Sequence, residues 1–311
     1  MSGSASANNS RLNYFIAGLS ANIIWGFFAI PLRLIAAWPA DTILYFRIFF
    51  SFVFVWMFLF LFRYSDWKRD WEGMKQMSAK ERKRIIFLLV LSSVLIMGNW
   101  FTFIYAVNNV SIKSAAFAYL ICPLITTLAG CLILKEKLSK IKWISLSMAL
   151  VSVIMLAQTS LIEVFWAILI ASFYAFYMII QRVLRDIDKF NFLAVQLVIC
   201  SLIVLPMSFM SDTPVPSSLL FWGMIALIAI VFTIIPLFLS MYALNGIASA
   251  TMGILIYINP IISFAVAVFY FNEVISIGQF LAYLLLLAAI VLYNSAFIRQ
   301  IFSKLAKREP I

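Results

Sequence analysis

Histidine is absent from this chain of 311 residues, and acidic residues are scarce, with 12 Asp and Glu against 23 Lys and Arg. The commonest general base and the commonest metal ligand are therefore both missing. The three cysteines, Cys122, Cys131 and Cys200, all fall inside apolar runs. They have neither metal-ligand spacing nor a water-exposed partner, which leaves them as small buried thiols. Charged residues make up 11% of the chain, too few to coat a soluble domain. No Walker-type Gly-rich loop occurs, so no nucleotide cofactor and no direct use of ATP are expected. A catalytic dyad at mid-membrane depth, such as two aspartates or Ser with Lys, is also lacking, which argues against an enzyme. The first ten residues are small and polar, with no early basic run and no cleavage site, so the first apolar run reads as a retained span rather than a signal peptide.

What the chain has in abundance is apolar sequence, at 65% hydrophobic residues and a mean hydropathy of +1.06. A helix crosses roughly 30 Å of hydrocarbon in about 20 residues. Ten runs of that order are read at 12–36, 41–62, 85–107, 111–134, 141–158, 161–184, 190–211, 217–244, 248–271 and 276–298. Most connections are a few residues long, and most of the positive charge lies on one set of them. Arg63, Lys68, Arg69, Lys75, Lys80, Arg82, Lys83 and Arg84 crowd the link between spans 2 and 3. Lys135, Lys137, Lys140 and Lys142 lie between spans 4 and 5, Arg182, Arg185 and Lys189 between spans 6 and 7, and Arg299, Lys304, Lys307 and Arg308 after span 10. The opposite set carries only Arg33 and Lys113. This one-sidedness places both termini in the cytoplasm. It also assigns the net charge of +11 to an anionic leaflet rather than to nucleic acid. Within residues 63–84, Trp67, Trp71 and Met74 fall on one helical face, which predicts an amphipathic helix on the inner surface. Ser78 with Glu81 predicts a cap for the helix that follows.

The second half repeats landmarks of the first at a constant offset of 137 residues: Tyr105-Ala106 at Tyr242-Ala243, Ile121 and Pro123 at Ile258 and Pro260, Glu136 and Ser139 at Glu273 and Ser276. Five spans per copy is an odd number, so the second copy enters the bilayer from the other side. The expected fold is an all-α integral membrane protein of ten transmembrane helices, arranged as two inverted five-helix repeats. The expected organisation is an N-terminal cytoplasmic tail at 1–11, a first repeat at 12–158 that includes the insert 63–84, a second repeat at 159–298 and a cytoplasmic tail at 299–311.

Polar and aromatic residues within the spans are candidates for lining a central cavity: Trp25, Arg47, Asn99, Trp100, Tyr119, Tyr174, Tyr177, Gln181, Gln196, Tyr257 and Asn259. Asn22 belongs with them, although a lone Asn in a membrane helix often serves as an interhelical tie. Tyr174, Tyr177 and Gln181 form an i, i+3, i+7 stripe. Pro123 and Pro260, at repeat-related positions, are candidate helix kinks that free a carbonyl one turn earlier. Arg47 is the sharpest single residue. A guanidinium about 9 Å inside a span needs a partner, and a substrate carboxylate or Asp41 at the same span end could provide one. Its counterpart at an offset of 149 is Gln196, polar but uncharged. Asp41, Glu136, Glu163 and Glu273 all lie at span ends, with Glu136 and Glu273 expected to cap the helices of spans 5 and 10.

Several of these residues also carry a resemblance. Asn99-Trp100, Phe103-Ile104, Ala106-Val107-Asn108, Tyr119, Pro123-Leu124, Gly130, Leu134, Glu136, Leu138 and Trp143 resemble the RarD branch of the drug/metabolite transporter superfamily, of EamA type. Trp25-Gly26-Phe27-Phe28, Arg47 with Ser51, Tyr257-Ile258-Asn259-Pro260 and Phe269 to Glu273 fit the same branch, and the likeness runs from about residue 12 to 298. The chain departs from the family pattern at Cys122, where the family usually has an asparagine before the proline, so no role of that asparagine carries over. The resemblance implies transport across a bacterial inner membrane. RarD-like proteins are associated with chloramphenicol sensitivity, and other members of the superfamily export amino acids and small metabolites.

Together these readings predict a secondary transporter, an exporter or exchanger of small amphipathic metabolites, amino acids or drugs, working by alternating access. With no acid deep in a span, facilitated transport, exchange, or proton coupling through the substrate itself is expected. A passive channel of the same fold is the alternative, and a non-transporting scaffold a more distant one. The expected partners are a small-molecule substrate and the lipid bilayer, with no nucleic acid. Oligomeric state is left open, a monomer being sufficient for the fold.

Overall fold

The computed structural model of this protein describes residues 2–109, 112–156, 161–185, 187–210, 215–270, 277–296 and 299. Every regular element among them is helical. The helices are α1 (Ser2–Gly26), α2 (Ala29–Leu34), α3 (Ala40–Phe62), α4 (Tyr64–Gln76), α5 (Ala79–Asn109), α6 (Ile112–Ile133), α7 (Lys140–Leu156), α8 (Leu161–Val183), α9 (Lys189–Phe209), α10 (Leu219–Ala229), α11 (Ile235–Gly246), α12 (Ser249–Ile256), α13 (Ile258–Phe269) and α14 (Ile277–Tyr293). A π-helical turn at Ile230–Ile234 joins α10 to α11. Six helical stretches among the described residues are long and apolar enough to cross a membrane, and shorter apolar helices cover Ala118–Ile133, Ser249–Ser263 and Phe280–Tyr293.

The distribution of polarity is that of a protein dissolved in lipid. Leu132, Phe209, Leu219 and Phe269 are about four-fifths exposed or more, whereas Asn22, Asn99, Gln181, Gln196, Ser51, Thr126 and Ser145 are buried. Hydrocarbon cannot hydrogen-bond a side-chain amide or hydroxyl, so these groups turn inward and apolar side chains face out. Within the bundle α1 packs on α11 and α13, α5 and α6 on α8, α12 on α6, α3 on α9, and α14 on α7.

Three expected spans are not single straight helices, and span 1 breaks at Phe27 and Phe28 between α1 and α2. Span 8 contains the π turn, set by Pro236. Proline lacks the N–H that would bond four residues back, so the Phe232 carbonyl is left without a helical donor. Trp25 Nε1 of α1 donates to it at 3.0 Å. Span 9 divides at Tyr257 into α12 and α13, with Pro260 in the first turn of α13, whereas Pro123 sits inside an unbroken α6.

The insert after α3 forms α4, and Ser78 caps α5, accepting from the Glu81 N–H at 3.3 Å and donating to its carboxylate at 2.8 Å. Helix α4 also docks on protein. Trp67 packs edge-on against Trp56 of α3 at 5.2 Å, and Asp70 accepts from Asn191 Nδ2 of α9 at 2.6 Å. Arg63 bridges Asp66 and Asp188, both at 3.1 Å. Partial desolvation works against its charge, but hydrogen bonds to Asp188 and Asp66 dominate and hold its pKa above the ordinary value.

Candidate functional site

Counting along the helices gives the depth of each candidate. Arg47 of α3 and Tyr119 of α6 each lie seven residues into their helix, about 10 Å at 1.5 Å per residue. The fold brings the two side chains into electrostatic contact. The Arg47 guanidinium lies over the Trp100 ring of α5 at 4.8 Å and near the Phe28 ring at 5.9 Å. Its Nε has no hydrogen-bond partner. No carboxylate among the described residues neutralises it, and Asp41 instead accepts from the neighbouring Thr42 N–H at 2.8 Å. The residue is half-buried within the bundle.

Beneath this level lies an aromatic tier. Tyr174 of α8 meets the Trp25 ring edge-on at 6.2 Å and stacks on Tyr177 at 5.8 Å. Trp25 and Tyr174 are separated by the same 149 residues as Arg47 and Gln196 (174 − 25; 196 − 47), so repeat-related positions face each other. Tyr257, at the break between α12 and α13, closes the tier and is fully buried. The Tyr257 hydroxyl has no hydrogen-bond partner, while that of Tyr174 faces Ser240 and that of Tyr177 faces Gln196 and Gln181, neither in good hydrogen-bond geometry. Cys122 stands among Tyr119, Tyr174 and Tyr257.

A lower tier holds Tyr177 with Gln181 and Gln196. The three side chains are completely buried, and the Tyr177 hydroxyl faces both amides, Gln196 more strongly than Gln181, without good hydrogen-bond geometry to either. Unsatisfied buried amides are costly, at about 1–3 kcal/mol each, and a cluster of them marks a place that accepts water or a ligand.

Two expected lining residues also make contacts that tie helices or turns together. Asn99 Nδ2 donates to the Ile170 carbonyl at 2.9 Å and so ties α5 to α8. Asn259 lies where α13 crosses α1, its Oδ1 accepting from Ser263 Oγ at 3.3 Å, and Ser263 also donates to the Gly26 carbonyl at 3.1 Å. The two helices touch there because a Cβ on Gly26 would fall 2.5 Å from Ile262 Cβ.

Sequence reasoning missed Phe28, Cys122 and the Phe232 carbonyl, and only Pro236 carried a readable signal. It also assigned Glu136 to the wrong helix. Glu136 does not cap α7. Its carboxylate caps α12 in the other half of the chain, accepting from the Ser249 N–H and hydroxyl and from the Ala250 N–H. The local pattern of an acid before a helix could not reveal a partner 113 residues away. Glu273 lies outside the described residues.

Comparison with known proteins gives a consistent result. The sequence profile of the EamA-like transporter family matches residues 12–158 and again 161–295. Protein RarD of Salmonella typhimurium is 28% identical over 290 residues, covering 92% of this chain and 96% of its own. Protein RarD of Escherichia coli is 27% identical, covering 86% of this chain and 88% of its own. The uncharacterized transporter YojE of Bacillus subtilis is 29% identical, covering 88% and 90%. A solved crystal structure superposes with a TM-score of 0.75 at 13% identity, over 92% of this chain and 98% of that one, which establishes the likeness of fold.

Proposed function

We propose, from the premise that this chain belongs to the EamA-like transporter family and to the RarD-like branch of the drug/metabolite transporters, that it carries a small amphipathic solute by alternating access around the Arg47 cage. It is a multi-pass membrane transporter. The finer reading is of two inverted five-helix repeats, 12–158 and 159–298, with both termini cytoplasmic in a bacterial inner membrane. The two successive family matches support it. So do matched helices that run antiparallel, the end of α3 meeting the start of α9 through Arg63 and Asp188, and the end of α6 meeting the start of α12 through Glu136 and Ser249.

The observation that carries the reading is the column of buried polar groups with poorly closed hydrogen bonds between Arg47 and Gln181. The substrate that fits has an anionic head for Arg47, a planar or apolar body for Trp25, Trp100 and the tyrosines, and a hydrogen-bonding group for the two glutamines. No single depth carries a ring of like charge, which favours a carrier over a channel. The test is a thermal-shift screen of purified protein against amino acids, aromatic carboxylates and phenicol drugs, followed by counterflow of the best stabiliser in proteoliposomes. A carrier gives transient accumulation of label above equilibrium. A channel gives only equilibration, and a scaffold gives neither.

A further inference from the structure

The first N–H groups of a helix have no partner within it, and Ala248, which precedes α12, has no side-chain acceptor to offer them. Glu136 supplies one from the turn between α6 and α7. Its Oε1 accepts from the Ser249 N–H and the Ser249 hydroxyl, both at 2.8 Å, and its Oε2 accepts from the Ala250 N–H at 3.0 Å. Two local features aim the carboxylate. Lys135 adopts a left-handed φ of 55°, which turns the chain so that the Glu136 N–H reaches the Gly130 carbonyl at 3.1 Å. Gly130 leaves the necessary room, since a Cβ there would lie 2.7 Å from Ser249 Oγ and 2.8 Å from Glu136 Oε2. One carboxylate thus joins the two halves of the chain at a single point.

We infer that this junction is a releasable latch on the transport path, with α12 as the lever it holds; the inference rests on the transporter reading above. Helix α12 has eight residues, about 12 Å, and stops at Tyr257. Its first turn is in the latch, and Tyr257, just past its end, stands beside Cys122 among the site's tyrosines. A tilt of this half-helix therefore opens the lysine-rich end of the bundle and withdraws Tyr257 from the cage in one movement. Beneath the latch the two helices pack closely through small groups, Gly253 of α12 lying against Thr126 of α6, 3.1 Å from a would-be Cβ. Glu136 is only half-buried, so water can replace its donors when the halves part. All three bonds converge on one carboxylate and are lost together. A permanent seam built from scattered apolar contacts would lack that property.

The test is accessibility of a single reporter thiol, Thr126→Cys, in a chain with Cys122, Cys131 and Cys200 changed to alanine. A membrane-impermeant maleimide is applied to vesicles of each orientation. Glu136→Ala should raise the labelling rate from the lysine-bearing side about tenfold or more, the shift expected when charge-assisted hydrogen bonds are lost from one of two states. Labelling from the other side should not rise. Ser249→Ala, which keeps both backbone donors, should give a smaller rise on the same side. Gly130→Ala crowds the latch without removing a partner and decides the matter if Glu136→Ala does not accumulate as folded protein. An unchanged rate, or an equal rise from both sides, makes Glu136 a static cap and overturns the latch. Counterflow by the native chain is scored separately, so a failure of transport and a failure of the latch are told apart.

Discussion

Arg47 is a cation enclosed by the bundle whose nearest partners are ring faces. A cation–π contact is worth about 0.5–2 kcal/mol, far less than the hydration an arginine gives up. The remaining cost is offset only when an anion arrives. Because no carboxylate among the described residues is orphaned by its removal, Arg47→Ala should fold normally and melt at the same temperature or higher. Transport by that variant should fall about a hundredfold, the loss of a desolvated bidentate ion pair. Arg47→Lys should recover only part of it, since a compact ammonium neither stacks on Trp100 nor forks onto a carboxylate. Undiminished transport by Arg47→Ala, at equal protein level, would remove Arg47 from the mechanism. A second residue-scale prediction concerns Lys135. Its left-handed backbone suits glycine, so Lys135→Gly should raise the denaturation midpoint, by about 0.5–1 kcal/mol of stability. Arg47 was legible in the sequence because a charge deep in an apolar run is conspicuous. Cys122 was not, because a thiol in such a run looks like any small apolar residue. Asn99 was legible as polar, but whether it lines the cavity or ties two helices depended on where the Ile170 carbonyl lies.

Helix boundaries followed from apolar length, but the breaks within spans did not, because a proline's effect depends on what replaces the lost bond. At Pro236 the replacement is the Trp25 indole, and the helix widens into a π turn. Pro236→Ala should restore the backbone donor, regularise α10 and α11 into one helix, and free Trp25 from the Phe232 carbonyl. We expect a higher melting temperature and slower counterflow, because the Trp25 ring loses its tether beside Tyr174. A rise in both would show that the π turn has no part in positioning the site. Helix α4 teaches a related lesson. Its apolar face was legible, yet Asp70, three residues on from Trp67 and on the same stripe, meets Asn191, so α4 braces α9 as well as lying at the surface. Asp188 is central to that brace. It caps α9 by accepting from the Phe190 and Asn191 N–H groups and also receives Arg63. Asp188→Ala should cost about 1–2 kcal/mol, mostly from the cap, with the half-exposed ion pair adding little. A midpoint shift much larger than that would mean the brace holds α3 and α9 together.

At the scale of the whole molecule, the spacing of 137 residues revealed that there are two copies but could not say which ends meet. The contacts supply that. The end of α3 meets the start of α9, the end of α6 meets the start of α12, and Lys142 near the start of α7 lies over the Tyr293 ring at the end of α14, at 4.8 Å. Each pair joins helices at equivalent positions of the two copies, running in opposite directions. Under the proposed function, the pairing lets two similar halves build one site with unlike walls, Arg47 from one copy and Gln196 from the other. It also explains why positive charge gathers at one end, where the loops of the first copy meet the helix starts of the second. Membrane insertion then imposes a consequence that can be measured. The loop after α3 and the loop after α9 take equivalent places in the two family matches, so the inversion proposed above would put them on opposite faces of the bilayer. Single cysteines at Lys75 and Ser217 should react with an impermeant reagent from opposite sides, the first from the cytoplasm and the second from outside. Reaction of both from the same side would mean that the copies run parallel, and a site that opens by turns to each face would then have no structural basis.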